Sequence, residues 1–146
     1  MFLGSSEHTL DDKLRLVLPK KDREVFGSKA VVAWDYDGNL ALFTLTGFQS
    51  RARQIESLSD FDQSARALKR TFFGKSLELD IDSHGRVNLP KYLLDKAGIV
   101  KEVTLVGVVD RIELWDSAKY EAVSKAEEKD YPCLAQKMLT GTPDAK

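Results

Sequence analysis

The chain is almost without cysteine. Cys133 stands alone, so no internal disulfide can form, and a lone thiol predicts a reducing compartment. No uninterrupted apolar run approaches the roughly 18 residues that a membrane span needs. The opening MFLGSSEHT has neither the basic head nor the apolar middle of a signal peptide. These absences predict a cytoplasmic protein with no membrane partner. Metal-ligand spacing is missing as well, because His8, His84 and Cys133 are scattered singly. There is no glycine-rich phosphate loop, nucleophile elbow or paired-carboxylate motif. The expectation is therefore no enzyme, no metal and no cofactor. An overall basic excess is also lacking, since the net charge is −1.

What is present is unevenly placed. Between Lys13 and Arg23 stand five basic residues against one acidic one, while acid gathers in the C-terminal third. The mean thus hides a basic N-terminal surface. With 146 residues, 42% of them hydrophobic and 31% charged, the chain suits one soluble domain, residues 1–146, around one core.

One stretch occurs twice. Residues 10–20, LDDKLRLVLPK, align without a gap on residues 81–91, IDSHGRVNLPK. Asp11/Asp82, Arg15/Arg86, Leu18/Leu89, Pro19/Pro90 and Lys20/Lys91 are identical, far more than composition would produce. Each copy leads into an apolar run, a turn and a second apolar run: AVVAWDYDGNLALFT in the first half, VTLVGVVDRIELWD in the second. Two copies predict a pseudo-two-fold domain rather than a solenoid.

Each half reads as strand, strand, short helix and hairpin. Leu14, Leu16 and Leu18 alternate with Arg15 and Val17, which turns the arginine away from the leucines. Pro19 and Pro90 suit the first turn of short helices stopped by Gly27 and Gly98, and Asp37-Gly38 marks a hairpin turn. The halves span about 5–47 and 76–118, with central helices at 48–75 and C-terminal helices at 117–140. Leu45, Phe48, Ala52 and Ile55 give the first central helix an apolar face. Asp62 caps the second, whose inner face is Ala65, Leu68 and Phe72. Its Arg66, Lys69 and Arg70 read as a solvated face in preference to a phosphate contact. Pro132 is expected to open a separate last helix, and GTPDAK to be a frayed tail. Trp34, Phe43, Phe72, Phe73 and Trp115 read as packing residues.

The Asp-x-x-x-Arg spacing carries the chemistry. A short aspartate acceptor bonds neighbouring backbone amides and fixes a turn, and it can orient the arginine four residues on. The arginine then offers a rigid fork of donors to a phosphate or to the O6/N7 edge of guanine. A purely structural pair that pins the bend is the competing reading. Duplication, with Lys13, Lys20, Lys21, Arg23 and Lys91 nearby, favours anion binding. Asp11 and Asp82 make poor general acids, because an arginine partner depresses each pKa. A structural or protein-binding oligomeric module without DNA specificity is the stronger alternative.

The opening MFLGSSEHTLDDKLRLVLP, the IDSHGRVNLP repeat and the EVTLVGVVDRIELWD segment resemble the MraZ family. These are bacterial transcriptional regulators related to AbrB-like swapped-hairpin DNA binders. The resemblance covers almost the whole chain. It implies an α+β fold in which both halves form one pseudo-two-fold swapped-hairpin β-barrel with flanking helices. It also implies a ring-shaped homo-oligomer, nucleoid-associated, that binds repeated boxes in double-stranded DNA upstream of the division and cell-wall gene cluster. Arg15, Arg86, Lys13, Lys20 and Lys91 are then the DNA-binding residues, and Asp11, Asp82 and Gly85 orient the motifs. Two positions depart from the family pattern: Leu14 stands where the turn glycine kept at Gly85 is usual, and His84 stands where lysine is common. A first bend less tightly turned than the second is expected.

Overall fold

The computed structural model describes residues 1–141, so the GTPDAK tail beyond Gly141 lies outside the described residues. The elements are β1 (Ser5–Thr9), β2 (Arg15–Val17), α1 (Lys20–Phe26), β3 (Lys29–Trp34), β4 (Leu40–Phe43), α2 (Leu45–Glu56) and α3 (Gln63–Lys75). There follow β5 (Leu77–Asp80), β6 (Arg86–Asn88), α4 (Lys91–Ala97), β7 (Glu102–Gly107), β8 (Arg111–Asp116) and α5 (Ser117–Thr140). Residues Met1–Asp116 form one compact unit, and α5 belongs to a second.

Six strands make one antiparallel sheet in the order β1-β7-β8-β4-β3-β5, and β2 pairs with β6 in a separate two-stranded ribbon. The order is symmetric about the β8–β4 contact. Each half keeps its own hairpin, β3–β4 or β7–β8, but its first strand crosses over: β1 pairs with β7 and β5 with β3. The sheet stays open, ending at β1 and β5, so the fold is mixed α+β and no closed barrel is found among the described residues. With the ribbon strands only three residues long and separately paired, no strand remains to join the two sheet edges.

The ribbon lies on the main core. Leu16, Leu18, Val87 and Leu89, at equivalent places in the two copies, are at most 1% exposed. They share a cluster with Val32, Leu40, Leu42, Leu93, Leu94, Val103, Ile112 and Leu114. Each such side chain contributes about 1.5–3 kcal/mol by leaving water. A second cluster, Ala33, Ala41, Phe43, Ile55 and Phe72, is joined by Phe48, Leu68 and Phe73 of α2 and α3.

Helix α2 departs from the expected apolar face. Its buried residues are Gly47, Arg51 and Ile55, while Leu45 is exposed. Gly47 is needed because a Cβ there would stand 2.6 Å from the carbonyl oxygen of Asp110. Arg51 is buried because its charge is matched: Nη1 donates to Asp35 Oδ1 at 2.9 Å. Its guanidinium also lies over the rings of Tyr36 and Phe43, 4.6 and 5.1 Å from their centroids. Asp35 Oδ2 meets Arg111 Nε at 3.6 Å, so one carboxylate ties α2 to β8. Hydropathy cannot register a charge that is buried with its counter-charge.

Helix α5 corrects a second expectation. It runs unbroken from Ser117 to Thr140 with Pro132 inside it. Proline removes one helical hydrogen bond, but Glu128, whose carbonyl loses that donor, is exposed and water can serve it.

The buried ion pair yields a stability test. Arg51→Ala removes the near cation from the buried Asp35 carboxylate, which keeps the Tyr36 N–H at 2.8 Å and the longer Arg111 contact, and the expected loss is about 3–5 kcal/mol. Urea unfolding measures it, and a loss under about 1 kcal/mol would show that the pair does not fasten α2 to the sheet.

Candidate nucleic-acid interface

The two motifs fold into the same bend. Asp11 Oδ1 accepts the backbone N–H of Lys13 at 2.8 Å and of Arg15 at 2.9 Å, and Oδ2 accepts Arg15 Nε at 2.6 Å. Asp82 does the same with the N–H groups of His84 and Arg86, both at 2.9 Å, and with Arg86 Nε at 2.7 Å. Turn bonds match as well: Leu14 N–H to Asp11 O and Gly85 N–H to Asp82 O are both 3.0 Å. The bends are equally tight, which corrects the expectation for the first. Leu14 adopts φ 61°, close to the 75° of Gly85. A leucine in the left-handed region costs on the order of 1–3 kcal/mol. Packing of the Leu14 side chain against the main core offsets it.

The bends interlock. Leu18 N–H donates to Gly85 O at 2.9 Å, and Leu89 N–H donates to Leu14 O at 3.0 Å. In the ribbon Arg15 faces Asn88, Leu16 faces Val87 and Val17 faces Arg86. Leu16 and Val87 point into the core, so Arg15, Val17, Arg86 and Asn88 share the outer face. The arginines are diagonal neighbours, a relation that sets Cα atoms about 7–8 Å apart.

Electrostatics follow from the hydrogen bonds. The Asp82 carboxyl is lowered to about 2, chiefly by the Arg86 backbone N–H. The Arg86 side chain and the His84 N–H lower it further, against an opposing effect of desolvation. Asp11 is lowered for the same reason, with the Arg15 backbone N–H first. Carboxyls ionised this far down hold no proton to donate at neutral pH, so they suit a clamp and not an acid. The clamp fixes each guanidinium through Nε and leaves the terminal nitrogens of Arg15 and Arg86 without a hydrogen bond among the described residues. Both arginine side chains are part-sheltered, at 29% and 34% exposure.

The other basic residues differ in availability. Lys13 and His84 occupy the tips of the two bends, exposed, and Lys20 is exposed at the start of α1. Lys91 Nζ instead meets the Asp95 carboxylate at 3.0 and 3.2 Å, an exposed pair weak enough for a phosphate to displace. Lys21 Nζ reaches Leu3 O at 3.2 Å. On α3, Lys69 bonds Asp60 Oδ1 at 2.6 Å and Leu58 O at 2.8 Å, and Arg66 bonds Asp60 O at 2.8 Å. Those two hold the connection between α2 and α3. Among the described residues, no three His, Cys, Asp or Glu side chains gather as a metal site. None of the described helices is long and apolar enough to cross a membrane.

The family model described as "MraZ protein, putative antitoxin-like" matches the chain twice, over residues 1–71 and 72–139. The chain belongs to the MraZ family. The spacing of the two MraZ matches agrees with the internal repeat, in which residue 10 aligns with residue 81. A protein of Moorella thermoacetica is 36% identical over 139 residues, covering 95% of this chain and 97% of its own. One of Acetivibrio thermocellus is 34% identical over 138 residues, covering 94% and 96%. One of Mycoplasmopsis pulmonis is 38% identical over 119 residues, covering 82% and 81%. All three carry the name transcriptional regulator MraZ.

The bends generate a pH prediction. Because folded Asp82 titrates below its ordinary 3.8, ionisation favours the native bend above that value, and the contribution vanishes as pH falls through about 2. Carboxyl NMR should therefore place the Asp82 midpoint near 2, and Asp82→Asn should loosen residues 82–86 at neutral pH. A midpoint near 3.8 would mean that the backbone amides do not hold the carboxylate.

Proposed function

We propose that the chain is a sequence-specific DNA-binding transcriptional regulator, and that the β2–β6 ribbon is its reading surface. The carrying observation is the pair of clamped guanidiniums on diagonally adjacent positions of one ribbon, with their terminal nitrogens unused. A two-stranded ribbon fits the major groove of B-DNA, and an arginine fork matches guanine O6/N7 or a phosphate. In this reading Arg15 and Arg86 contact bases, and Lys13, Lys20 and Lys91 contact phosphates. Asp11, Asp82 and Gly85 hold the geometry. The exchange of β1 and β5 between halves supports descent from a swapped-hairpin pair, with the two halves working as one DNA-binding domain.

Affinity requires more than one copy. Neutralising each phosphate changes log K by roughly −0.9 per unit of log salt, and one chain of net charge −1 offers few such contacts. A ring homo-oligomer that displays several ribbons on one DNA face multiplies them, and linkage of this kind adds about 10²–10⁴ in affinity. The targets are direct repeats upstream of the division and cell-wall gene cluster, in a cytoplasmic, nucleoid-associated setting. No cofactor takes part.

Arg15→Ala with Arg86→Ala should abolish specific binding to the duplex upstream of the chain's own coding region while the melting temperature stays close to that of the parent. A large loss of stability with binding intact would favour the purely structural reading of the aspartate–arginine pairs, and a parent chain that binds no duplex would point to a protein-binding module. Repeat spacing supplies a second measurement. Inserting about half a helical turn between boxes should weaken binding far more than inserting a full turn of about 10 bp. Equal effects, or single-box affinity equal to that of the array, would remove the ring-avidity mechanism.

A further inference from the structure

The two halves are related by an offset of 71 residues, which takes Asp11 to Asp82 and Arg15 to Arg86. The relation is broken at several positions, and three of these bear on the bends. Lys13 maps onto His84, Leu14 onto Gly85, and Arg23 of α1 onto Leu94 of α4. These three departures are complementary.

At the second bend, Gly85 leaves a gap that Arg23 fills. A Cβ on Gly85 would stand 2.0 Å from Arg23 Nε, 2.4 Å from Cζ and 2.5 Å from Cδ. The guanidinium thus lies in the space a side chain at position 85 would take, while the φ of 75° is close to the 61° that Leu14 adopts at the first bend. Arg23 Nε donates to Leu18 O at 2.8 Å, and the N–H of the same Leu18 donates to Gly85 O at 2.9 Å. The guanidinium therefore spans the junction of the two motifs. Its terminal nitrogens make no hydrogen bond among the described residues. At the first bend the gap is closed from within: Leu14 packs against the cluster that contains Leu94, itself 2% exposed.

We infer that Arg23 is a further nucleic-acid contact, supplying to the second bend a fixed positive charge in the place of the lysine that stands at the tip of the first. Each bend then offers two permanent cations, Lys13 with Arg15 at the first and Arg23 with Arg86 at the second. Arg23 is anchored as the motif arginines are, through Nε on a protein oxygen, which leaves its terminal nitrogens for a phosphate. Arginine suits this place and lysine does not, because an ammonium has no second nitrogen to serve as the anchor. The inference rests on the DNA-binding reading of the ribbon.

The test uses the full chain with two probes, the duplex upstream of its own coding region and an unrelated duplex of equal length. Arg23→Leu should weaken binding to both by a similar factor, the mark of a phosphate contact. The slope of log K against log salt should become shallower by about 0.9 for each Arg23 engaged. Adding His84→Lys to Arg23→Leu should restore the slope, because it returns a cation to the same bend. Melting curves of Gly85→Leu and of Gly85→Leu with Arg23→Leu separate contact from scaffold. The single variant should melt early, and the double variant, which copies the first bend, should recover. An unchanged salt slope in Arg23→Leu overturns the assignment. So does weak binding with early melting that His84→Lys does not rescue, since Arg23 would then be structural. Binding that survives Arg15→Ala with Arg86→Ala would instead defeat the ribbon as the reading surface, so the two failures are distinguishable.

Discussion

Two carboxylates hold the β2–β6 ribbon in shape. Each sits at a bend, accepts two backbone N–H groups and grips an arginine by Nε. The interlocking bonds of Leu18 to Gly85 and Leu89 to Leu14 require both bends to have the same curvature. The ribbon, the burial of Leu16 and Val87 beneath it, and the outward placement of the two arginines all follow from that constraint. A lysine in place of either arginine would keep the charge and lose the geometry, because the fork is held at one end and free at the other.

The same constraint explains why the halves could diverge without losing their common shape. Positive φ at the fourth residue of the bend is fixed by the hydrogen bonds and not by the residue type, so Leu14 and Gly85 adopt nearly the same conformation. What differs is the filling of the space beside the bend. In one half a leucine occupies it. In the other an arginine from the opposite half passes across a glycine. Away from the ribbon, the Asp35–Arg51–Arg111 group ties helix α2 to the hairpins of both halves, Asp35 following β3 and Arg111 opening β8.

Much of the fold was legible in the residues. Alternation located the strands, proline and glycine bracketed α1 and α4, and Asp37-Gly38 sits at the turn between β3 and β4. Asp62 does cap α3, its Oδ1 accepting the Ser64 N–H at 2.8 Å. The bonding of each motif aspartate to its arginine could be read from a spacing of four, because turn hydrogen bonds are local. Less legible were the α2 face and the continuity of α5 through Pro132. A hydropathy pattern counts Arg51 as polar and a proline as a stop, whatever counter-charge or solvent lies beside them. Arg23 was visible only as one more basic residue. Its single signal was that the repeat places an apolar residue, Leu94, at the matching position.

The sequence by itself determined the local units: the two bends, their aspartate–arginine pairs, the short helices and the hairpins, all built from contacts within a few residues. Tertiary structure alone decided how those units were combined. It crossed β1 and β5 between halves, set Arg15 and Arg86 diagonally on one ribbon, and laid Arg23 over Gly85 some sixty residues along the chain. The physical reason is that such pairings satisfy backbone groups and fill space between segments remote in sequence. No local periodicity encodes which remote partner will do so.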